Sequence, residues 1–357
     1  MESLENFRKK IDDIDDMIVD LLASRMQVVK HIGEFKKQNN AIIYRPEREQ
    51  YILNRLAERS KDTLLTHSAI DAVFMEIFAI SRNFELPEKV AYLGPEGSFT
   101  HQAAESRFGI KSDYLPLDSI RSVFESVSTE RVRFGVVPIE NNQEGFVRET
   151  IDYLHDIHVK IVAEILLPVH MTFVSKSDKL SQIKRIYSKE IAFKQCQKFL
   201  NEYFKDGPAE LVPIESTSKA AKMAAEEEDS AAICSSVAAK IFRVPILFEN
   251  IEDSSYNRTR FLIISKEFTN QKSGNDKTTI IAKLPDEPGS LANFLQDFNA
   301  YNINLNKIES RPSKEDHKFK NWFYIELDGH VEDDNLKHVF DKHQDKIRIL
   351  GSCVKLA

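Results

Sequence analysis

The sequence predicts three domains in a row: an all-α helical domain, an α/β domain, and a small α+β domain of the ferredoxin-like kind. Three patterns predict this order. Apolar residues recur at helical spacing over residues 1–87, strands and helices alternate over residues 88–268, and a βαββαβ pattern fills residues 277–357. At 357 residues the chain exceeds one ordinary domain of ~150 residues, and its 42% apolar share lets each domain bury a core.

Charge and cysteine content narrow the class of protein. The formal charge of −7 gives no reason to expect a nucleic-acid or membrane partner. Cys196, Cys234 and Cys353 lie far apart without a CxxC pair, and no two histidines form an HxxxH or HExxH pair. These features argue against disulfides and metal and favour a reducing compartment. Since the N-terminus is polar and no apolar run nears ~20 residues, we expect a cytoplasmic protein.

The helical domain is predicted from its apolar spacing. Leu, Ile, Val and Phe recur every three or four residues over the first 35 positions, which is a heptad seam. One helix cannot bury such a stripe, so the seam requires a partner helix or a dimer mate. A break is predicted at Gln38-Asn39-Asn40, and Pro46 opens a second helix because proline suits a first helical turn. A loop over 62–68 precedes a third helix over 69–84.

Arg25 interrupts the seam where the pattern asks for Leu or Val. A buried guanidinium is costly unless it is paired. Lys36 lies three turns further on, hence on the same face, and Ser81 and Glu85 share a face of the third helix. For any single Arg or Lys a solvated surface charge is the commoner explanation. The seam position of Arg25 nevertheless demands a partner.

Residues 4 to about 86 resemble the all-helical type of chorismate mutase. The match consists of polar residues at the family's spacings: Arg8, Arg25, Lys36, Arg48, Glu49 and Ser81. The resemblance implies that Arg25, with Arg8 of a second protomer, clamps the carboxylates of chorismate. It implies that Arg48 helps to hold the site, that Lys36 donates to the ether oxygen and that Glu49 accepts from the substrate hydroxyl. Bidentate arginines suit such carboxylates.

The chemistry implied for this domain is an intramolecular pericyclic step that needs no nucleophile, acid or cofactor. The enzyme has to hold the compact conformer and stabilise charge on the breaking ether bond. Two positions depart from the family pattern, with Arg45 in place of Asp and Glu85 in place of Gln. An ionised Glu85 would repel the developing charge, whereas a protonated Glu85 would donate a hydrogen bond. We therefore expect mutase activity to fall as the pH rises.

Two polar segments mark the α/β region, where a mostly parallel sheet is predicted from the alternation of strands and helices. Residues 136–145 end a buried-looking strand, and residues 257–261 run into an apolar one. Ser188 lies at another strand end and Gln195 on the next helix. Ligand sites in open α/β sheets lie at the carboxyl ends of strands. Singly, such residues are more often turn formers and helix caps.

Jointly these segments resemble prephenate dehydratase across residues 89 to about 266. The family has a two-lobed α/β domain similar to periplasmic binding proteins, with the site in the cleft. The resemblance implies that Thr259 donates a hydrogen bond to the departing ring hydroxyl in a dry cleft. It implies that Asn141, Ser188 and Gln195 position the substrate. The full set of predicted substrate-binding residues of the dehydratase is Glu140, Asn141, Ser188, Gln195, Arg260 and Phe261.

The last region resembles the ACT regulatory domain of the dehydratases, after a polar linker over 270–276. Residues 285–291 form a loop entering a helix, whose free N–H groups suit a carboxylate, and residues 308–312 match closely. The resemblance implies that L-phenylalanine binds between paired ACT domains and inhibits the enzyme. The predicted effector residues are Gly289, Ser290, Leu291, Asn304, Glu309 and Ser310.

Together the resemblances predict a bifunctional enzyme of phenylalanine biosynthesis. It would convert chorismate to prephenate and prephenate to phenylpyruvate, as a homodimer or a dimer of dimers, with L-phenylalanine as effector. Three alternatives stay open from the sequence. The chain could be a catalytically dead sensor, the helical domain could serve only for dimerisation, or the dehydratase could prefer arogenate to prephenate.

Overall fold

The structure, a computed structural model, describes residues 3–38, 45–85, 89–109, 112–205, 207, 209–313 and 321–355. The chain divides into two compact units, each described here by itself. The first comprises residues 1–88 with 108–113, and the second comprises the remainder. The predicted domain boundary at residue 87 lies outside the described residues.

Three helices make up the first unit: α1 (Leu4–Gln38), α2 (Pro46–Arg59) and α3 (His67–Glu85). Pro46 opens α2 as predicted, and α1 ends where the predicted break begins, although residues 39 and 40 are not described. The third helix begins two residues before the predicted start because Thr66 caps it. The Thr66 hydroxyl accepts from the N–H of Ala69 at 3.2 Å, and its carbonyl accepts from the N–H of Ile70.

Most of the apolar seam on α1 is exposed. Leu4 and Phe35 are each 67% exposed, and the apolar seam residues between them are also exposed. Val29 on the same helix is buried. Burying an apolar side chain of this size stabilises a protein by roughly 1.5–3 kcal/mol. Among the described residues of this chain, nothing covers the seam. The predicted need for a second helix therefore remains.

Two sheets form the α/β part of the second unit. The strands are β1 (Lys89–Leu93), β2 (Asp113–Leu117), β3 (Phe134–Asn141), β4 (Gly145–Phe146), β5 (Lys160–Pro168), β6 (Thr172–Ser175), β7 (Arg185–Ser188), β8 (Glu210–Pro213), β9 (Ser230–Cys234), β10 (Ile246–Phe248) and β11 (Arg258–Ser265). The first sheet has the order β2-β1-β3-β11-β5, with β4 on β3, and the second has β10-β6-β9-β7-β8. Two sheets connected twice by the chain make a two-lobed domain, as predicted.

The sheets are mixed, so the prediction of a mostly parallel sheet was wrong. β1 with β3, and β7 with both β8 and β9, are parallel, but β11 runs antiparallel to both β3 and β5. The path of the chain explains this. It leaves the first sheet after β5, builds the second sheet, and returns through β11, which therefore runs against β5. The short strands β2, β8 and β10 were not predicted because they are only partly buried.

Helices cover the two sheets: α4 (Phe99–Phe108), α5 (Ile120–Ser128), α6 (Arg148–Asp156), α7 (Glu190–Gln195), α8 (Gln197–Phe204), α9 (Thr217–Glu226) and α10 (Ser236–Phe242). Serine side chains cap three of them. Ser119, Ser216 and Ser235 accept from the backbone N–H three residues on, at the starts of α5, α9 and α10. The helix predicted from Thr217 is confirmed, with its end at Glu226.

The last part of the chain has the predicted βαββαβ order: β12 (Asp276–Lys283), α11 (Ser290–Ala300), β13 (Leu305–Pro312), β14 (Asn321–Asp328), α12 (Asp334–Lys342) and β15 (Ile347–Val354). The sheet order is β13-β14-β12-β15. One face packs Phe298 and Val339 of α11 and α12 into its own core. From the other face, Trp322 and Tyr324 enter the core of the first α/β sheet. This small sheet is thus joined to that lobe by continuous apolar packing.

The segment predicted as a polar linker, residues 270–276, is held in place by buried hydrogen bonds. Asn270 is 5% exposed, and its Nδ2 donates to the carbonyls of Val162 and Ser352 at 2.6 and 2.7 Å. The polar composition indicated a solvated connection. The amide instead satisfies two buried carbonyls where the last sheet meets the first lobe.

Candidate active sites

A cavity of about 580 Å³ lies among the three helices of the first unit. Its charged lining is Arg25, Lys36, Arg45, Arg48, Glu49, Arg55, Arg82 and Glu85, and Ser81 also lines it. Six of these charged side chains are basic and two are acidic. A surplus of cations in a confined cavity favours a ligand with more than one negative charge. The predicted sharing of a face by Arg25 and Lys36 is confirmed.

Hydrogen bonds between helices orient the cations. The guanidinium of Arg25 donates to the Ser81 hydroxyl, which donates to the carbonyl of Ile77 at 2.6 Å. Lys36 Nζ lies 2.7 Å from Glu85 Oε2, and the guanidinium of Arg82 pairs with Glu49. Burial lowers the pKa of Arg25, and the charge of Glu85 offsets part of that effect. Arg25 therefore has the partner that its seam position demanded.

Arg8 is the one predicted mutase residue outside this cavity. It precedes Arg25 by 17 positions on α1 and is exposed. At ~1.5 Å per residue, that separation is about 26 Å along the helix axis. The structure therefore does not bring Arg8 together with the other predicted mutase residues of its own chain.

The second site is a cluster at the ends of β3 and β11. Thr259 and Asn141 are directly paired across these antiparallel strands. Asn141 Nδ2 lies 2.9 Å from Thr259 Oγ1 and 2.9 Å from Asn257 Oδ1. Asn141 Oδ1 accepts from the N–H groups of Gln143 and Glu144 at 2.9 and 3.1 Å. Because two backbone donors hold the oxygen, the amide must turn its NH₂ group towards Thr259.

This arrangement directs the proton of the threonine hydroxyl. Thr259 Oγ1 accepts from Asn141, so its own O–H is available to donate elsewhere. The side chain is partly exposed. The neighbouring Asn257 is buried, and its carboxamide oxygen already accepts a hydrogen bond from Asn141. The site can therefore offer a directed neutral hydrogen-bond donor to an oxygen atom of a ligand.

The other two predicted positioning residues lie on the second lobe. Gln195 Nε2 donates to Gln143 Oε1 of the first lobe at 3.0 Å, so Gln195 does meet the Asn141 loop. Ser188 is fully buried and donates to the carbonyl of Ile233 at 2.7 Å. Its hydroxyl thus fixes the end of β7 against β9, and its predicted contact with substrate stays a prediction.

Arg260 and Glu140 do not line the Thr259 face, and Phe261 is not accessible to a ligand. Arg260 and Glu140 form the next cross-strand pair, and successive side chains of a strand point to opposite faces. Arg260 Nη2 donates to Glu140 Oε2 at 2.9 Å on that opposite face. Phe261 is 1% exposed and belongs to the apolar interior. Arg260 and Glu140 therefore support the site from behind, whereas Phe261 contributes apolar packing.

A second polar loop connects the lobes near the start of α4. The Ser235 hydroxyl donates to the carbonyl of Gly97 at 2.7 Å, and the Ser218 hydroxyl donates to the carbonyl of Glu96. Gly97 has a φ of +80°, and a side chain there would meet Ser218 and Ala238. The glycine in the matched segment 94–100 therefore permits close contact between the lobes.

The predicted effector residues are divided between the two ends of the last sheet: Gly289, Ser290 and Leu291 follow the end of β12, whereas Asn304 precedes β13 beside Asp328, which pairs with the start of β12. Gly289 has a φ of +83° and starts α11, whose first residues are Ser290 and Leu291. Asn304 Nδ2 donates to Asp328 Oδ2 at 3.1 Å. Glu309 and Ser310 lie on β13, the edge strand, where alternate side chains are exposed.

Sequence reasoning missed three residues with clear roles. Arg82 lines the helical cavity, and Asn257 and Gln143 hold the Asn141 and Gln195 amides. Arg82 lies one helical turn before Glu85, which could have indicated it. Asn257 and Gln143 lie inside the polar segments already singled out. Their importance follows only from cross-strand and cross-lobe neighbours that a sequence does not reveal.

Metal and membrane features are absent from the described parts of the chain. Across residues 3–38, 45–85, 89–109, 112–205, 207, 209–313 and 321–355, no cluster of three or more His, Cys, Asp or Glu side chains could hold a metal ion. Within the same residues, no helix combines the length and apolar character that crossing a membrane requires.

The cationic helical cavity and the neutral strand-end cluster differ in chemistry, as two separate ligand sites would. Comparison with known proteins assigns a family to each of the two regions that contain them. The family "Chorismate mutase type II" matches residues 7–86, and the family "Prephenate dehydratase" matches residues 90–269.

Whole-chain relatives have the same two activities. The bifunctional chorismate mutase/prephenate dehydratase of Aquifex aeolicus is 39% identical over 99% of both chains, and that of Stutzerimonas stutzeri is 36% identical over 99% of this chain and 98% of its own. The solved prephenate dehydratase of Arthrobacter aurescens, in complex with L-Phe, is 31% identical with a TM-score of 0.69. The match covers 75% of this chain and 90% of that one.

This chain belongs to the bifunctional chorismate mutase/prephenate dehydratases. It rearranges chorismate to prephenate and converts prephenate to phenylpyruvate, two steps of phenylalanine biosynthesis. The predicted pair of activities is confirmed, against the alternatives of a dead sensor and of a helical domain used only for dimerisation.

Proposed function

We propose that the helical cavity is the mutase site and that Lys36, Arg25 and Arg48 bind the chorismate dianion there. The surplus of basic over acidic side chains in the cavity lining carries this assignment. Arg25 offers a fork of N–H donors to a carboxylate, oriented by its bond to Ser81. Lys36 lies opposite Glu85 and donates to the breaking ether oxygen, where negative charge develops. Glu49 accepts from the substrate hydroxyl.

The complete mutase site takes Arg8 from a second copy of the chain. The exposed seam of α1 supports a homodimer, because a second α1 would bury the uncovered apolar stripe. Arg8 lies on this same helix, too far along it to reach its own cavity. Pairing of two α1 helices therefore accounts for both observations. Further association into a dimer of dimers is compatible with this arrangement.

Thr259 acts as the hydrogen-bond donor of the dehydratase. In this reaction the C–C bond to the ring carboxylate breaks and releases carbon dioxide. The electron pair enters the ring, which becomes aromatic as the C–O bond to the hydroxyl breaks. The 2.9 Å bond from Asn141 to Thr259 Oγ1 supports this role, because it leaves the threonine proton to meet the departing oxygen. Threonine is a weak acid, so the donor works by a directed hydrogen bond.

Asn141, Gln195 and Ser188 hold prephenate between the lobes. The bond between Gln195 and Gln143 supports this proposal, because a ligand in the cleft would exchange contacts with these amides. Glu140 and Arg260 act from behind the strand pair, and Phe261 acts by packing in the apolar interior. Arogenate has the same leaving hydroxyl, and nothing in the described residues favours it over prephenate.

The last domain is an ACT regulatory domain that binds L-phenylalanine and inhibits the dehydratase. Its βαββαβ order and the left-handed Gly289 before α11 support this proposal, since the free N–H groups there suit an amino-acid carboxylate. The relative solved with L-Phe supports the choice of effector. Arg311, next to Glu309 and Ser310, donates to both oxygens of Asp152 at 2.9 Å and so links the edge strand to α6.

The cytoplasm is the proposed compartment. All three cysteines are buried without forming disulfides, which suits a reducing environment.

A coupled assay tests these proposals together. The purified full-length enzyme receives chorismate, then in a separate experiment prephenate, and both prephenate and phenylpyruvate are followed with and without L-phenylalanine. Formation of phenylpyruvate from chorismate, with suppression by phenylalanine, is the expected result. If millimolar phenylalanine does not slow phenylpyruvate formation, the effector proposal is wrong. If the enzyme does not convert prephenate but does convert arogenate, the substrate of the dehydratase is arogenate.

A further inference from the structure

A cluster of six charged side chains, four of them buried, lies behind the Thr259–Asn141 pair, where the last sheet packs on the first lobe. It contains three basic and three acidic residues: Arg260, Lys277, Lys307, Glu140, Glu164 and Glu326. Three of them, Lys277, Lys307 and Glu326, belong to the C-terminal domain. The other three belong to strands of the dehydratase lobe.

Arg260 is the centre of this charge cluster. Its Nη1 lies 2.9 Å from Glu164 Oε1 and 2.7 Å from Glu326 Oε2, and its Nη2 lies 2.9 Å from Glu140 Oε2. Lys277 Nζ bridges the same two carboxylates, 2.6 Å from Glu164 Oε1 and 3.0 Å from Glu326 Oε2. One guanidinium thereby ties β3, β5 and β14 to its own strand, β11.

The three basic and three acidic side chains make the cluster neutral, and each buried charge depends on its partners. Glu326 is 1% exposed, and Tyr324 Oη donates to its Oε1 at 2.7 Å. Burial alone would raise the pKa of Glu326, but Lys277 and Arg260 hold it well below its usual range. Burial opposes the charge on Arg260 too, and Glu164 with Glu326 raises its pKa above the ordinary value. Removing one member would leave a buried charge without its counterpart.

Strand geometry connects this cluster with the reaction. Thr259 pairs with Asn141, and the next residues on the same two strands, Arg260 and Glu140, pair with each other on the opposite face. The register shifts directly after Arg260. Such a bulge bends the strand and re-aims the neighbouring side chains, so contacts on the back face influence where those side chains point. The ion pairs on the back of the strands therefore fix the front-face pair where the hydrogen bond to substrate must be aimed.

We propose that Glu326 and Lys277 of the C-terminal domain are positioning residues for the dehydratase reaction, acting through Arg260 on Thr259 and Asn141. This inference rests on the proposed role of Thr259. Because the donor acts on a hydroxyl that leaves only in the transition state, misplacing it lowers kcat and leaves KM for prephenate nearly unchanged.

The test uses full-length enzyme carrying Glu326→Gln, Lys277→Gln, or both substitutions. Each single variant should lose between about 10- and 100-fold in dehydratase kcat, the scale of a ~1 Å misplacement. The double variant restores a neutral cluster of Arg260 and Lys307 with Glu140 and Glu164, and should recover part of the lost kcat. Glu267→Gln, an exposed carboxylate two residues after the end of β11, is the matched control and should keep the wild-type kcat.

Chorismate mutase activity and circular dichroism report folding in the same preparations. Folded single variants with unchanged dehydratase kcat would overturn the proposal, and so would a double variant no better than the worse single. If Glu326→Gln fails to fold, Tyr324→Phe removes only the bond to Glu326 Oε1 and should lower kcat by about threefold to tenfold. Unchanged kcat in that variant would also overturn it.

Thr259→Ala, assayed alongside, separates the two proposals. If it keeps near-normal dehydratase activity, the proposed site itself is wrong. If it loses activity while the Glu326 and Lys277 variants do not, only the positioning role fails.

Discussion

The helical cavity and the strand-end site place charge in opposite ways. Six basic side chains line the cavity proposed for the mutase directly. At the site proposed for the dehydratase, the hydroxyl of Thr259 and the amide of Asn141 are neutral, and the charges of Arg260 and Glu140 lie on the other face of the same strands.

The two reactions explain this difference. The mutase must hold a dianion in a compact conformer and stabilise charge on an ether oxygen, which favours cations in contact with substrate. The dehydratase must convert a ring carboxylate into neutral carbon dioxide. A cation bound to that carboxylate would stabilise the ground state more than the transition state. Neutral donors for the leaving group, with charges kept behind the strands, are therefore the better arrangement.

The largest expected effect is that of Arg25→Ala on the mutase. Losing this carboxylate-binding donor should lower kcat/KM for chorismate by about 10²- to 10³-fold, while kinetics with prephenate stay at wild-type values. Steady-state assays on each substrate measure both. Arg59→Ala, at the exposed end of α2, is the control. A kcat/KM for chorismate within threefold of wild type would contradict the claim that cations in the helical cavity bind the substrate directly.

Asn141→Ala should have the next largest effect, confined to the dehydratase. Without the amide, the Thr259 hydroxyl loses the donor that orients it. The loss of one neutral hydrogen bond, about 1.5 kcal/mol, predicts a fall in kcat of roughly tenfold. Prephenate turnover measures this. Wild-type turnover in a folded variant would show that the strand-end amide has no part in the reaction.

Glu85→Gln sharpens the comparison through charge. The carboxylate of Glu85 lies 2.7 Å from Lys36, the proposed donor to the ether oxygen. A glutamine removes a negative charge from beside the breaking ether bond and can donate a hydrogen bond there, so mutase kcat should rise several-fold at neutral pH. Steady-state assays with chorismate measure this, and dehydratase kinetics should stay the same in both proteins. An unchanged mutase kcat would remove Glu85 from the mechanism.

The smallest expected effect is on inhibition. Asp152→Asn weakens the bidentate link between α6 and Arg311. We expect about fivefold weaker inhibition by phenylalanine, the lower end of typical coupling between sites, with unchanged activity in its absence. Inhibition curves measure this shift. Stronger or unaltered inhibition would mean that this ion pair does not carry the coupling.

The sequence predicted local features better than it predicted long-range contacts. Helical spacing placed Arg25 and Lys36 on one face, and Pro46 marked the start of α2. Both are properties of a few neighbouring residues. The antiparallel return of β11 was missed, because a strand pattern carries no information about its direction in the sheet.

The same limit applies to individual site residues. Asn141 and Thr259 could be singled out from two polar segments 118 positions apart, but their direct pairing could not. Arg260 was predicted as a substrate-binding residue because it follows Thr259 in the matched segment. The structure turns its guanidinium to Glu164 and Glu326, which lie 96 and 66 positions away. Burial of such a group depends on partners that only the folded chain brings together.

The most direct test of the account is Thr259→Ala in the full-length enzyme supplied with chorismate. We predict that prephenate forms at the wild-type rate and accumulates, while phenylpyruvate formation falls by about 10²-fold or more, the scale expected for losing one preorganised donor. Following both compounds in one reaction makes the mutase its own control for folding. Phenylpyruvate produced at a near-wild-type rate would contradict the separation of the two sites and the role of Thr259.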